Sequence, residues 1–362
     1  MSEPVMRRTQ FGLPVDSFHA PTFRFHSPLA KALSLFSVLS VVAVAAVPIT
    51  ASALAADASS SSIESPKAVS SLLLDVVHAG KRLVAAGDRG HILYSDDDGK
   101  SWSQAKVPTR QMLTSVYFID DKKGWAVGHD AQILASEDGG ATWTLQFEDL
   151  QREAPLLDVW FKDTNTGFAV GAYGALLTTA DGGKHWEDVS DRLDNEDQYH
   201  LNAITAVKDS GLFVVGEMGS MFRSADWGET WERIQGPYEG SLFGVLGAAD
   251  SGVVIAYGLR GHLFRSADFG NTWETIPLKT TGGELEFGLS GGALLPNGSL
   301  VVVGHGGSVL KSNDSGRSFS VVNRADRMSL AGVIADDKGN LILVGQGGVR
   351  VASPTGAELG QL

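Results

Sequence analysis

Residues 95–102 read Ser-Asp-Asp-Asp-Gly-Lys-Ser-Trp, and the pattern beneath them, Ser/Thr-x-Asp-x-Gly-x-x-aromatic, occurs six times in the 362-residue chain. Its anchor residues are Ser95, Asp97, Gly99 and Trp102, then Ser136, Asp138, Gly140 and Trp143, then Thr179, Asp181, Gly183 and Trp186. They return as Ser224, Asp226, Gly228 and Trp231, as Ser266, Asp268, Gly270 and Trp273, and as Ser312, Asp314, Gly316 and Phe319. These are the residue types of a hairpin turn: a short carboxylate that bonds backbone N–H groups, a glycine that accepts positive φ, and a ring that packs between sheets. Chemistry repeated in phase serves folding better than one active site, so the aspartates are read as structural.

A second mark precedes each turn, a short apolar run ending in glycine. It stands at Gly87, Gly128, Gly171, Gly216, Gly258, Gly304 and Gly345, spaced 41 to 46 residues apart. That period is the size of a propeller blade. In the first unit, apolar alternation gives four strands, over 72–77, 82–86, 91–94 and 101–106, and later first strands begin near Leu113, Leu156, Leu201, Leu242, Leu289 and Leu330. The last unit offers strands over 330–334, 341–344 and 349–352 and then has no turn box. The expectation is an all-β, seven-bladed β-propeller, closed by an N-terminal strand at residues 63–69 that completes the last blade and leaves no open sheet edge.

Composition narrows the function. The formal charge of −13, from 29 basic and 42 acidic residues, argues against a broad nucleic-acid surface. With no cysteine there is no disulfide, thiolate metal site or Cys nucleophile. Arg7, Arg8, Arg24 and Lys31 precede an apolar run over 32–47, and Ala53-Leu54-Ala55 follows as an A-x-A cleavage pattern. Residues 1–56 are read as a signal peptide with an N-terminal extension, 57–70 as a Ser-rich lead-in with the closing strand, and 71–362 as the propeller. Export places the protein in the periplasm, with an N-terminal anchor, or a thylakoid lumen in a photosynthetic host, as alternatives. Cleavage would take the net charge to −15.

The six turn motifs resemble the Asp-box, or BNR, repeats of sialidases and many secreted propellers. Together with seven glycine-marked units and the sequences Gly-Trp-Ala-Val-Gly at Gly124–Gly128 and Gly-Phe-Ala-Val-Gly at Gly167–Gly171, they make residues 70–350 similar to the photosystem II stability/assembly factor family. The resemblance implies a propeller that holds membrane-protein subunits during assembly and does no chemistry itself. It also implies a basic patch, of which Arg89 and Arg260, each two residues after a glycine mark, form a partial counterpart; Asp130, Tyr173, Met218, Gly306 and Gly347 occupy that place elsewhere.

Loops after the second strands gather on one rim of a propeller, and positions that vary between repeats there are candidates for function. The partner-binding candidates are Arg89, His129, Asp130, Tyr173, Glu217, Arg260, His305 and Gln346. Asp75, Ser115 and Asp158 are placed on the channel wall, where other units carry Ala203, Gly244, Gly291 and Gly332; the acids either bind a cation or a partner's basic tail, or hydrogen-bond neighbouring strands. Trp227 and Phe269 stand where other boxes have small or polar residues and form either a contact patch or local packing. The expected partner is a membrane-protein or envelope-complex subunit held by a monomeric propeller, with no nucleic acid, cofactor or metal. His129 and His305 lack companions at ligand spacing, and Asp96-Asp97-Asp98-Gly99 lacks the later Glu of a calcium loop. A glycan-binding or sialidase-like propeller is the alternative, since Arg89, Asp130, Tyr173, Glu217 and Arg260 are suitable residue types.

Overall fold

The computed structural model describes residues 60–359, all within one compact unit that spans Ala53–Leu362. The signal-peptide reading of residues 1–56 lies outside the described residues.

Among the described residues seven antiparallel sheets follow one another as blades, six of four strands and a last one of three, and a separate two-stranded hairpin lies between the fifth and sixth. The innermost strands are Leu73–Ala79, Leu113–Phe118, Leu156–Phe161, Leu201–Val207, Leu242–Gly247, Leu289–Leu294 and Leu330–Ala335. Each second strand is an apolar run, and Gly124–Gly128, Gly167–Gly171 and Leu341–Gly345 are buried at every position. A strand covered on both faces needs no polar alternation. Its successive side chains serve opposite neighbours: Val84 and Ala86 pack with Val116 and Ala126 of blade two, whereas Leu83 and Ala85 pack with Ile334, Ile342 and Val344 of blade seven. Seven apolar clusters fill the seven interfaces, including the one between blades seven and one, and so the ring is closed.

The turn boxes fasten neighbouring blades. In blade two, Ser136 Oγ donates to Asp138 Oδ1 at 2.9 Å and accepts from Gly140 N at 2.9 Å, while Asp138 accepts from the backbone and hydroxyl of Thr142. The box glycine then lies on the preceding blade: a Cβ on Gly140 would meet Val84 at 3.2 Å, and one on Gly316 would meet Ile255 at 2.3 Å.

Closure differs from the expectation in one respect. Residues 63–69 form no strand and do not complete blade seven. Gln104, on the outer strand of blade one, binds the backbone of Ser65 and Ile63, and Ser62 N donates to Val107 O. Pro66 has no N–H to give a ladder, and Ser65 Oγ takes the Lys67 N–H locally. Ala68 and Val69 join the core between blades seven and one, and Val69 O accepts from Val349 N. The outer edge of blade seven is met by its own tail, which folds back so that Ala352 bridges Glu358.

Candidate functional site

The glycine marks turn the chain at one rim. At Gly128 a Cβ would lie 2.2 Å from the Met112 carbonyl oxygen, and at Gly216 it would lie 2.1 Å from that of His200, so a side chain is sterically excluded. Two residues further on, every blade enters the left-handed region: Arg89 (φ 58°), Asp130 (58°), Tyr173 (55°), Met218 (51°), Arg260 (57°), Gly306 (64°) and Gly347 (79°). The position varies between repeats, yet its backbone conformation is fixed in every blade. Glycine is the relaxed residue there, and blades one to five carry larger residues at a cost of about 1 kcal/mol each.

Of the five larger residues, Asp130 is half-buried and the other four stand out into solvent. Arg89 is 79% exposed at its side chain, Tyr173 60% and Met218 59%. Arg89 Nε lies 3.4 Å from Asp88 Oδ2. Asp130 accepts from Gln111 Nε2 at 2.5 Å. The Tyr173 ring meets His200 edge-on at 5.1 Å, and His200 N donates to Glu217 Oε2 at 3.2 Å. Tyr173 and Glu217 are thus brought together through His200. Arg89 and Arg260 stand in the non-adjacent blades one and five, with Arg260 lining a groove beside His262 and Glu286. His129, His305 and Gln346 are exposed on the same rim. Leu259, Phe243 and Phe287, in and after blade five, are also exposed.

A polar channel opens inside that rim, as a cavity of about 360 Å³. A bulge in each innermost strand, between Leu73 and Asp75 in blade one and between Leu113 and Ser115 in blade two, turns two successive residues toward it. Asp75 accepts from Val76 N and Val116 N, and Asp158 accepts from Val159 N and Ile204 N, so the two acids tie blade one to two and blade three to four. Ser115 Oγ lies 3.1 Å from Asp75 Oδ2 and 2.8 Å from Asp158 Oδ1. Burial raises both acids, Asp158 to about 7, where the charge of Asp75 adds to the effect. Tyr257, missed in the sequence, fills the opposite side of the channel, its ring over Gly244. The signal was present: Tyr257 precedes its glycine mark where other blades have Ala86, Val127, Val170, Val215, Val303 and Val344.

Trp227 and Phe269 pack rather than form an open patch. Trp227 stacks on Trp160 at 6.0 Å with Lys162 above it, and Phe269 meets Phe213 edge-on at 5.9 Å.

A closed ring of seven sheets, fastened by Ser–Asp turns and raising its variable side chains on one rim, defines an Asp-box β-propeller. Residues 100–154 and 145–286 match the family described as Photosynthesis system II assembly factor YCF48. The matches span just over half of the chain, which belongs to that family. Over 61 residues the chain is 39% identical to the photosystem II stability/assembly factor HCF136, chloroplastic, of Cyanidioschyzon merolae; the stretch is 16% of this chain and 14% of that relative's length. Among solved structures, YCF48 bound to D1 peptide superposes with a TM-score of 0.62 at 18% identity, over 80% of this chain and 93% of that one. The GH74 xyloglucanase of Xanthomonas campestris superposes with a TM-score of 0.61 at 13% identity, over 79% of this chain and 52% of that one. At such identities the likeness is one of fold.

Proposed function

We propose that this protein is an exported, non-catalytic scaffold whose rim binds a peptide segment of a membrane-protein subunit and so aids assembly or stability of a membrane complex. The observation that carries this reading is the run of five non-glycine residues held in the left-handed region on one exposed face. The turn boxes hold left-handed residues too, at Asp98, Trp227, Phe269 and Ser315, but those are half-buried; on the rim Arg89, Tyr173, Met218 and Arg260 keep the strain while exposed, which points to selection for what they touch. Their mixture of charge, aromatic surface and methionine suits an extended polypeptide. Membership of an assembly-factor family supports the same reading, as does the structural likeness to a propeller bound to D1 peptide.

Export is supported by the apolar run at 32–47 and the A-x-A pattern after it. The absence of chemistry is supported by the engagement of the rim carboxylates: Asp88 faces Arg89, Asp130 holds Gln111 and Glu217 holds His200. The test is affinity purification of the tagged protein from gently solubilised membranes, comparing wild type with Arg89→Ala/Arg260→Ala. One membrane-protein complex is expected with wild type and a several-fold lower yield with the double variant. Retention of glycans in place of protein, or equal recovery by the double variant, would overturn the reading.

A further inference from the structure

The channel holds an arrangement of polar groups that the rim does not explain. Ser115 Oγ touches Asp75 Oδ2 and Asp158 Oδ1, yet its hydroxyl has one hydrogen to donate. With both carboxyls ionised, one of those two contacts has no hydrogen in it. A proton on one acid completes the chain, and burial of both acids favours that state.

The second observation is on the other side of the same cavity. Tyr257 is 2% exposed, lines the channel and, among the described residues, has no hydrogen-bond partner for its hydroxyl. It occupies space that glycine leaves: a Cβ on Gly244 would lie 2.4 Å from its ring, and one on Gly292 would lie 3.0 Å from its hydroxyl. The hydroxyl is not sealed in the core but opens on the channel, where a ligand entering the cavity can meet it. Leu74, Leu157 and Phe243 line the cavity beside the acids and offer apolar wall to an aliphatic stem.

Two carboxyls and a phenol from blades one, three and five demand a compact cation with hydrogens pointing in several directions. A planar guanidinium presents its donors in one fork, whereas an ammonium has three rotatable donors on a point charge. Among the described residues no group of three or more His, Asp or Glu stands where it could hold a metal ion. We propose that the channel is a receptor for a primary ammonium group, carried by a small alkylamine or a lysine side chain, which takes the place of the proton shared by Asp75 and Asp158 and gives a further hydrogen bond to Tyr257. The site is separate from the rim and stands or falls without it. As the ammonium enters, one proton leaves the acid pair, so the charge of the filled channel is unchanged.

The test is titration calorimetry of the protein with n-butylammonium chloride at about pH 6, where the acid pair still holds its proton, in two buffers of different ionisation enthalpy. Neutral n-butanol is the control, and a blocked Gly-Lys-Gly peptide is a second arm. Saturable binding of butylammonium but not butanol is expected, with about one proton released per amine. Asp158→Asn is expected to weaken it roughly tenfold, and Tyr257→Phe, which keeps the ring packing, roughly threefold. Binding of butylammonium alone assigns the site to small amines, and binding of the peptide as well assigns it to lysine side chains. No saturable heat up to roughly 50 mM butylammonium, which corresponds to less than about 2 kcal/mol of binding, would overturn the proposal. So would binding that releases no proton or is unchanged in Tyr257→Phe.

Discussion

Ser136 is 1% exposed and shows what one residue of a turn box does. It satisfies the buried Gly140 N–H and orients Asp138, which in turn holds Thr142. Ser136→Ala leaves that N–H without a partner and should cost about 1–3 kcal/mol in urea denaturation. At the rim the sign reverses. Replacing Tyr173 or Met218 by glycine relieves left-handed strain but gives the unfolded chain more freedom, so stability should hold or rise by up to about 1 kcal/mol while partner binding falls. A residue kept for folding would show loss of stability instead. In the channel, Asp158 sits at about 7 against an ordinary 3.8 because it is buried. A raised acid binds more protons folded than unfolded, so its contribution is fully present below about pH 4 and is lost as pH rises through about 7. The turn aspartates run the other way. Asp97 and Asp226, held at about 2 by hydrogen bonds from Ser101 and Thr230, contribute stability above an ordinary carboxyl pKa that is lost as pH falls toward 2. Between about pH 4 and 7 the channel acids therefore set the difference between wild type and Asp158→Asn, and wild type should gain relative to the variant on acidification, as read from urea midpoints at two pH values.

Strands carry these residues, and the sequence is most legible where one physical constraint recurs. The innermost strands begin at Leu113, Leu156, Leu201, Leu242, Leu289 and Leu330 as expected. The glycine marks fix that register, because the carbonyl preceding each innermost strand lies where a Cβ would be. Segments that do not repeat were less legible. The lead-in at 63–69 has apolar ends but serine and proline within, and its backbone groups go to the Gln104 side chain and to Val349 N rather than to a ladder. The hairpin of Lys279–Thr280 with Gly283–Glu284, between blades five and six, has no counterpart in other units to reveal it. Tyr257 was legible by comparison between repeats, but the residue before each glycine mark is buried, so the comparison at the exposed positions passed over it. The second strands are also where single changes cost most. Trp125 is fully buried and stacks on Phe161 at 3.4 Å, so Trp125→Ala should lose about 3–5 kcal/mol, read from the same denaturation curves.

Across the whole molecule, seven similar apolar interfaces close the ring, and material from the two ends of the described chain covers the two sides of blade seven. Ala68 and Val69 fill the seam between blades seven and one, while the tail after Ala352 meets the edge of blade seven, with Gly356 against Val309 of blade six. Removing residues 353–362 should expose that edge, lower the urea midpoint and produce concentration-dependent association in sedimentation velocity. A ring so closed presents two unlike faces: the turn boxes on one, with repeated chemistry bound up in its own hydrogen bonds and left-handed residues that are half-buried, and the glycine-mark loops on the other, where Arg89, Tyr173, Met218 and Arg260 are left-handed and exposed. The central claim is that the second face holds the partner. Its most direct measurement places a photo-crosslinking residue at Tyr173 on the rim and, separately, at Asp98 on the box face, and identifies crosslinked peptides from intact membranes. Crosslinks from position 173 to a segment of a membrane-protein subunit, with little or none from position 98, are expected; crosslinks from position 98 with none from 173 would contradict the account.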